Sequence, residues 1–328
     1  EALGRETGAG AARLISGNRA EHEELERALA AFKGTDAALL FGSGYLANTG
    51  AIPALAEKED VLYADALNHA SLIDGCRLSR AEVRIYPHAD ADALGAMLAA
   101  DAGRFRRRWI VTDGVFSMDG DLAPLPALVT VARRHGAWLY VDDAHGTGVV
   151  GPDGRGVAAH FGVEDEVDVL MGTLGKALGT AGAFVAGSAT VVEFLRQRAR
   201  TFVFTTATPA ALAAAARTAR GRATAREDLR VRLQANTLRR RAHLATLGRP
   251  APGGVESPIV PVVLGGTEAT MAAGASLLAR GFLVGASRPP TVPMGTSRLR
   301  VTLSAAHTTA QVDALAAALG DVLRETAA

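Results

Sequence analysis

The first 190 residues alternate short apolar segments with longer amphipathic ones, and this alternation constrains the fold more than any other feature. The apolar segments have the length of β-strands and cover Ala37–Phe41, Val61–Tyr63, Val83–Tyr86, Trp109–Thr112, Trp138–Val141, Val169–Met171 and Ala183–Ala186. Amphipathic helices are predicted between them, for example over Glu21–Lys33 and Pro124–His135. Buried strands separated by helices need crossover connections, so the sequence predicts an α/β fold with a mainly parallel sheet that is covered on both faces.

The pattern changes after about Thr206, where an Ala- and Arg-rich helical stretch runs over Pro209–Leu247 and a Pro/Gly break follows at Pro250–Gly254. The elements predicted beyond the break are strand Ile259–Leu264, helix Thr267–Arg280, strands near Phe282–Val284 and Arg298–Leu303, and helix Thr309–Thr326. We therefore predict a large domain over residues 1–206 and a smaller α+β domain over 207–328. Residue 1 is Glu and not Met, so we expect the numbering to begin inside a longer chain that has a further N-terminal segment.

Composition narrows the class of function. The 35 basic and 34 acidic residues nearly balance, so no overall field attracts nucleic acid or acidic membranes, and we expect a small-molecule substrate. The single cysteine, Cys76, cannot form an internal disulfide, and no apolar run reaches the roughly 20 residues of a membrane helix. These features favour a reducing cytoplasm.

Two glycine motifs suggest nucleotide binding but lack its context. Gly146–Gly151 spells G-x-G-x-x-G after an apolar strand, yet Pro152-Asp153-Gly154 follows, so no helix is predicted to begin there and receive a pyrophosphate. The segment around Gly175-Lys176 resembles half of a P-loop, but Leu170 stands where the first glycine belongs and Ala177 replaces the magnesium-binding Ser or Thr. A nucleotide site is therefore disfavoured.

Polar residues at the ends of the predicted strands carry the chemistry. Lys176 follows strand Val169–Met171, where a partly desolvated amine could form an imine with an aldehyde cofactor. After the preceding strand, Trp138–Val141, a carboxylate of Asp142-Asp143 could pair with a protonated pyridine nitrogen, and His145 could bond a ring hydroxyl. An exposed loop lysine and a metal-binding carboxylate pair are the alternative interpretations. Since the sequence offers no third ligand at a telling spacing, we predict no metal site.

Three further segments complete the set. The turn before a predicted helix contains Gly44 and Tyr45, whose backbone N–H groups could bind a phosphate, although an ordinary strand-to-helix turn would look similar. His69 offers an imidazole that could stack on a flat ring, and Ser117 lies in a polar turn suited to a phosphate or ring contact. Their joint occurrence at strand ends indicates a site more strongly than any one of them does.

These residues resemble a known family, the α-oxoamine synthases, which are fold-type I enzymes that use pyridoxal 5'-phosphate (PLP). The similar motifs are S-M-D-G-D at 117–121, D-D-A-H-G-T-G at 142–148, G-K at 175–176, and R-P-P-T-V-P at 288–293 with G-T-S-R-L-R at 295–300. The likeness covers nearly the whole chain. It implies a fold-type I PLP-dependent transferase and, because the family builds its sites at a subunit boundary, a homodimer.

The resemblance also implies roles for individual residues. Lys176 would carry PLP, Asp142 would face the pyridine nitrogen, His69 would stack on the ring, and His145 and Ser117 would lie near the ring hydroxyl. Gly44, Tyr45 and Thr173 would hold the phosphate, with Thr205 or Thr206 reaching across from a partner subunit. Lys176, His69, Asp142 and His145 would be the catalytic residues.

On the substrate side, Arg300 would bind the amino-acid carboxylate beside His69, while Arg288 and Thr291 would line the acyl side. The D-D-A-H-G-T-G and R-P-P-T-V-P motifs are most similar to the biotin-pathway branch of the family, which implies L-alanine and a pimeloyl thioester, on CoA or acyl carrier protein, as substrates. A sibling enzyme that uses glycine or another acyl-CoA is the nearest alternative, because one methyl group is worth only about 1–3 kcal/mol. A non-catalytic protein with the same fold and an aminotransferase are the others.

Overall fold

Seven strands form the main sheet in the computed structural model, which describes residues 7–325. The strands are β1 (Ala37–Phe41), β2 (Val61–Asp65), β3 (Glu82–Tyr86), β4 (Arg108–Asp113), β5 (Trp138–Asp142), β6 (Val169–Thr173) and β7 (Ala183–Gly187). Their spatial order is β1-β7-β6-β5-β4-β2-β3, and β7 runs antiparallel to both of its neighbours. The strands from β6 to β3 pair in parallel, which confirms the predicted α/β class.

Helices follow most of these strands, as crossover connections require. They are α1 (Ala20–Lys33), α2 (Gly44–Leu55), α3 (Ala70–Leu78), α4 (Ala91–Ala100), α5 (Leu125–His135), α6 (Val157–Phe161), α7 (Ala189–Arg198), α8 (Arg200–Val203) and α9 (Ala210–Ala225). A hydrophobic core lies between the sheet and α2, α3, α7 and α8, and it includes Leu39, Ile52, Leu72 and Leu195, each at most 2% exposed. Strands β2, β6 and β7 are buried along their whole length, as expected for a sheet that is covered on both faces. The edge strand β3 is mostly exposed.

A second compact unit consists of residues 117–122 together with the chain from Arg226 onward. It contains α10 (Glu227–Thr246), β8 (Ile259–Gly265), α11 (Thr267–Ala279), β9 (Gly285–Ser287), β10 (Ser297–Thr302) and α12 (Thr309–Glu325). The three strands form an antiparallel sheet in the order β8-β10-β9. Its apolar side packs on the helices through Val260, Leu277, Leu299 and Leu319.

The structure departs from the sequence predictions in three places. The helical stretch predicted over Pro209–Leu247 breaks at Arg226, because Glu227 and Asp228 begin a new helix whose N-terminal dipole favours acidic residues. The strand predicted near Phe282–Val284 begins later, at Gly285, because the Phe282 N–H is used to close the end of α11 on the Leu277 carbonyl. Helix α9 groups with the first unit, so the compact units divide after residue 225, whereas the domain boundary predicted from composition lies at 206.

The predicted missing N-terminal segment and the helix end at Thr326 lie outside the described residues. Within residues 7–325, none of the helices is long and apolar enough to cross a membrane.

Candidate active site

The carboxyl ends of the central strands bring the predicted site residues to one edge of the main sheet. Asp113, the last residue of β4, lies opposite Asp142, the last residue of β5, and Asp142 lies opposite Met171 of β6. Thr173 at the end of β6 and Phe41 at the end of β1 both lie opposite Ala183. The loops that contain Gly44 and Lys176 therefore leave the same edge, two strands apart.

Asp142 is a buried carboxylate with two hydrogen-bond donors. Its side chain is 3% exposed and accepts from Asn48 Nδ2 at 2.7 Å and from the Ala144 N–H at 2.9 Å. Burial raises the pKa of Asp142 above its ordinary value, although the two donors and the positive charges of Lys176 and His69 oppose that rise. A cationic partner would stabilise the ionised form further.

Lys176 lies in a tight loop that connects β6 with β7. The loop is closed by hydrogen bonds from the Gly179 N–H to the Lys176 carbonyl at 3.0 Å and from the Thr180 N–H to the Leu174 carbonyl at 2.9 Å. The Lys176 side chain is exposed, and its charge acts on the pKa values of Asp142, Asp113 and His69. The charge of the amine thus influences the Asp142 carboxylate, and their shared role at a cofactor stays a prediction.

His69 begins helix α3 and is held on two sides. Its backbone N–H donates to Asp113 Oδ2 at 2.7 Å, and its ring Nδ1 accepts from the Ser71 N–H at 3.2 Å. Because an amide can only donate, Nδ1 is the acceptor and the proton of the neutral ring lies on Nε2. Desolvation by the surrounding protein, aided by the charge of Lys176, lowers the pKa of His69, which favours the neutral imidazole suited to stacking on a ring.

The start of helix α2 offers backbone donors. Ser43 caps the helix through a bond from the Leu46 N–H to its Oγ at 3.2 Å, and the Ala47 N–H donates to the Ser43 carbonyl at 2.9 Å. This arrangement leaves the N–H groups of Gly44 and Tyr45 without a partner in the helix ladder, as at any helix N-terminus. The Tyr45 hydroxyl points elsewhere and donates to Asp74 at 2.6 Å. At the end of β6, Thr173 Oγ1 donates to the Gly182 carbonyl at 3.2 Å.

The second aspartate of the Asp142-Asp143 pair has a structural role. Asp143 is 1% exposed and forms an ion pair with the buried Lys33 at 2.6 Å, and Lys33 Nζ also donates to Thr147 and to the Arg155 carbonyl. This network holds the turn that contains the partly buried His145. The G-x-G-x-x-G segment in that turn forms no helix, and the next α-helix begins only at Val157, which confirms that it is not a dinucleotide fingerprint.

Four predicted residues belong to the second unit. There Arg300 Nε donates to the Ser117 carbonyl at 2.5 Å and Nη1 donates to Thr302 Oγ1 at 3.0 Å, so the structure brings Ser117 and Arg300 together. Burial lowers the pKa of Arg300. Arg288 is exposed, with Nη1 at 3.1 Å from the sulfur of Met271, and the exposed Thr291 donates its N–H to the Arg288 carbonyl. Their roles stay predictions.

Thr205 and Thr206 lie in the first unit, after helix α8. Together with Arg13, Gly42 and Thr201 they line a small pocket, and Thr206 forms an isolated β-bridge with Ala12.

Sequence reasoning missed the residues that surround Asp142 and His69. Asn48 is fully buried and contacts Asp142, the Tyr140 hydroxyl bonds Asn48, and Asp113 holds His69. A signal was present for two of them, since Asp113 ends its strand as Asp142 does, and Asn48 is one of the few polar residues in a mainly apolar helix.

The donor set fits PLP. An amine, a buried carboxylate and a neutral imidazole lie at one sheet edge beside a helix N-terminus, and these groups match an aldehyde, a protonated ring nitrogen, a flat ring and a phosphate, respectively. Among residues 7–325, no group of three His, Cys, Asp or Glu side chains is arranged to hold a metal ion.

Comparison with known proteins supports PLP as the cofactor. The family model for aminotransferase class I and II matches residues 2–319. An 8-amino-7-oxononanoate synthase of Alkalilimnicola ehrlichii is 55% identical over 96% of this chain and 80% of its own length, and one of Methylococcus capsulatus is 53% identical over 98% and 82%. A solved serine palmitoyltransferase of S. paucimobilis with a bound PLP–myriocin aldimine is 35% identical, with a TM-score of 0.94 over 99% of this chain and 82% of that one.

Proposed function

This chain belongs to the class I and II aminotransferase family and, within it, to the α-oxoamine synthases, and we propose that it is a PLP enzyme of biotin biosynthesis. It condenses L-alanine with pimeloyl-CoA or pimeloyl-acyl carrier protein, and the products are 8-amino-7-oxononanoate, carbon dioxide and the free thiol. Curated relatives at 52–55% identity carry this activity in their names.

The position of Lys176 is the observation that carries the proposal. The chain contains three lysines, and only Lys176 lies at the carboxyl edge with Asp142. Lys33 is 2% exposed, and its Nζ already donates to three acceptors. Lys58 is exposed in the turn before β2, at the amino end of that strand. Lys176 is thus the amine that can bond the cofactor aldehyde.

When bound, PLP supplies an electron-poor ring that stabilises negative charge at the α-carbon of the amino acid. Asp142 would pair with the ring nitrogen, and its two existing donors hold the carboxylate in place for that contact. His69, with its proton on Nε2, would stack on the ring, and His145 and Ser117 would serve the ring hydroxyl. The N–H groups of Gly44 and Tyr45, together with Thr173, would bind the phosphate, and Thr205 or Thr206 of a partner subunit would add a donor.

The remaining roles concern the substrates. With the cofactor and the amino acid bound, the Lys176 amine would take the proton from the substrate α-carbon and later return one, which requires the neutral form of the amine. Of the five N–H groups of the Arg300 guanidinium, two are used by Ser117 and Thr302, and the others would bind the carboxylate of L-alanine. Arg288 and Thr291 would line the acyl side.

We also propose a homodimer and a cytoplasmic location. The dimer follows from the family, in which the site is completed by a second subunit. The location is supported by Cys76, the single cysteine of the chain, which is a buried free thiol and forms no internal disulfide.

The test compares Lys176→Ala with Lys58→Ala, a matched control at an exposed lysine. We expect wild type and Lys58→Ala to show a visible absorption band that changes on addition of L-alanine, and borohydride to label residue 176. Lys176→Ala should show no turnover. Substantial activity of purified Lys176→Ala contradicts the proposal.

The substrate is tested by offering alanine, glycine and serine against pimeloyl and acetyl thioesters. We expect alanine with a pimeloyl thioester to give the highest kcat/KM. Preference for glycine with acetyl-CoA would assign a sibling reaction, and failure to bind PLP would leave only a non-catalytic protein with this fold. Release of an oxo acid without condensation would indicate an aminotransferase.

A further inference from the structure

Asn48 connects two groups of the proposed site that come from different strands. It lies in the second turn of α2 and is fully buried. Its Nδ2 donates to Asp142 Oδ2 at 2.7 Å and to Ser71 Oγ at 2.8 Å, and its Oδ1 accepts from the Tyr140 hydroxyl at 2.8 Å. All of the polar atoms of its side chain are used.

The second branch reaches His69. Ser71 Oγ, which accepts from Asn48, also lies 2.8 Å from His69 Nδ1, the nitrogen that accepts a hydrogen bond. The Ser71 O–H can therefore donate to His69 while its oxygen accepts from Asn48. One amide group is thus connected to Asp142 directly and to His69 through Ser71.

The orientation of the Asn48 amide is determined by its partners. An ionised carboxylate only accepts hydrogen bonds, so Nδ2 must face Asp142, and Oδ1 must then face Tyr140, which donates. Tyr140 is 1% exposed, and burial raises its pKa well above the ordinary value, so it keeps its proton. Tyr140 thus donates to Asn48, and Asn48 donates to Asp142, so this chain of hydrogen bonds favours the negative form of Asp142.

We propose that Asn48 is a positioning residue of the PLP site. It holds the Asp142 carboxylate and the His69 imidazole in fixed positions relative to each other, so that both can contact one cofactor ring. This inference rests on the proposed function. Asn48 itself contacts neither substrate nor reacting atoms and acts through Asp142 and Ser71. Asn48, Ser71, Tyr140 and Asp142 are each at most 3% exposed, so water cannot replace the amide without a rearrangement.

The experiment measures PLP affinity by titrating the purified apoprotein and following cofactor absorbance. Asn48→Leu keeps the size of the side chain and removes both donors. We expect PLP affinity to fall between about tenfold and about a hundredfold, the range for a lost hydrogen bond to a charged group. The spectrum of the bound cofactor should change, and kcat should fall more than the KM for L-alanine rises.

Asn236→Leu is the matched control. Asn236 is 4% exposed, and its Nδ2 also donates to two acceptors, but these are the carbonyls of Ser304 and His307 in its own unit. We expect this variant to lose stability and to keep the affinity and spectrum of wild type. If Asn236→Leu weakens PLP binding as much as Asn48→Leu does, the Asn48 effect is a general loss of packing and the inference is wrong.

Ser71→Ala separates the two branches and covers the case in which Asn48→Leu does not fold. Ser71→Ala cuts the connection to His69 and leaves the Asn48–Asp142 bond, so we expect it to lose less PLP affinity than Asn48→Leu does. If Asn48→Leu does not fold, we expect Ser71→Ala by itself to lose less than about tenfold. A larger loss of PLP affinity in Ser71→Ala would overturn the direct role of Asn48 at Asp142. These comparisons need only PLP binding, so a wild type that binds PLP and makes no 8-amino-7-oxononanoate would refute the proposed reaction alone.

Discussion

Replacing Arg240 by Met should make this protein more stable. Arg240 lies in α10 with its side chain fully buried, and none of its three guanidinium nitrogens has a hydrogen-bond partner within residues 7–325. A buried charge without a partner is strongly unfavourable, because it loses its hydration and gains nothing in return.

The structure supplies a magnitude for that penalty. Burial lowers the pKa of Arg240 from 12.5 to about 10, which still leaves it protonated at pH 7. Since one pKa unit corresponds to about 1.36 kcal/mol, the charged form costs about 3 kcal/mol in the folded protein. Because the depressed pKa remains above 7, the whole penalty is present at neutral pH and is relieved only as the pH rises above 10. Arg240→Met should therefore raise the free energy of unfolding by about 3 kcal/mol.

The assay is urea unfolding at pH 7 followed by far-UV circular dichroism, with hydrogen exchange of the α10 amides to locate the change. Arg239→Met is the matched control, because the neighbouring Arg239 is exposed and forms a two-pronged ion pair with Asp313. That variant should leave stability unchanged or lower it slightly. If Arg240→Met is no more stable than wild type, the guanidinium has a compensating partner and the reasoning fails.

Three further perturbations test the buried polar groups. Burial and the neighbouring carboxylate of β5 raise the pKa of Asp113 well above its ordinary value. The folded apoprotein therefore keeps a proton that the unfolded chain has already lost, and its stability falls as the pH rises above about 4. Asp113→Asn should be increasingly favoured over wild type from pH 4 to pH 7 in thermal melts, and a constant difference would contradict this. Lys33→Met leaves Asp143 charged and buried, so it should cost about 3–5 kcal/mol in urea unfolding, and a loss below about 1 kcal/mol would show that the pair is not needed. Gly156 has a φ of +109°, and a Cβ there would lie 1.7 Å from Asp143 Oδ2, so Gly156→Ala should lower the melting temperature while Gly221→Ala, in open space on α9, should not.

Much of the fold and part of the site could be predicted from local pattern. Each of the seven predicted strands is present, because a buried strand in a covered sheet is a short apolar run at any position in the chain. The candidates Lys176, Asp142 and His69 follow such strands, and the carboxyl ends of parallel strands meet at one edge. The break in the long helix at Arg226 was missed, since the chain around it has no Gly or Pro closer than Gly221 and is rich in Ala and Arg, which are good helix formers, so that only the charges of Glu227 and Asp228 mark a start.

The sequence by itself determined which chemical groups stand at the strand ends, and the family resemblance attached roles to them. Only the tertiary structure decided which of these side chains form hydrogen bonds and ion pairs with each other. It separated Asp142, which Asn48 contacts across 94 residues of chain, from its neighbour Asp143, which Lys33 neutralises across 110. The periodicity of a strand or helix in the sequence indicates on which side of that element a residue lies. A hydrogen bond between side chains of different elements depends on positions that are fixed only when those elements pack together.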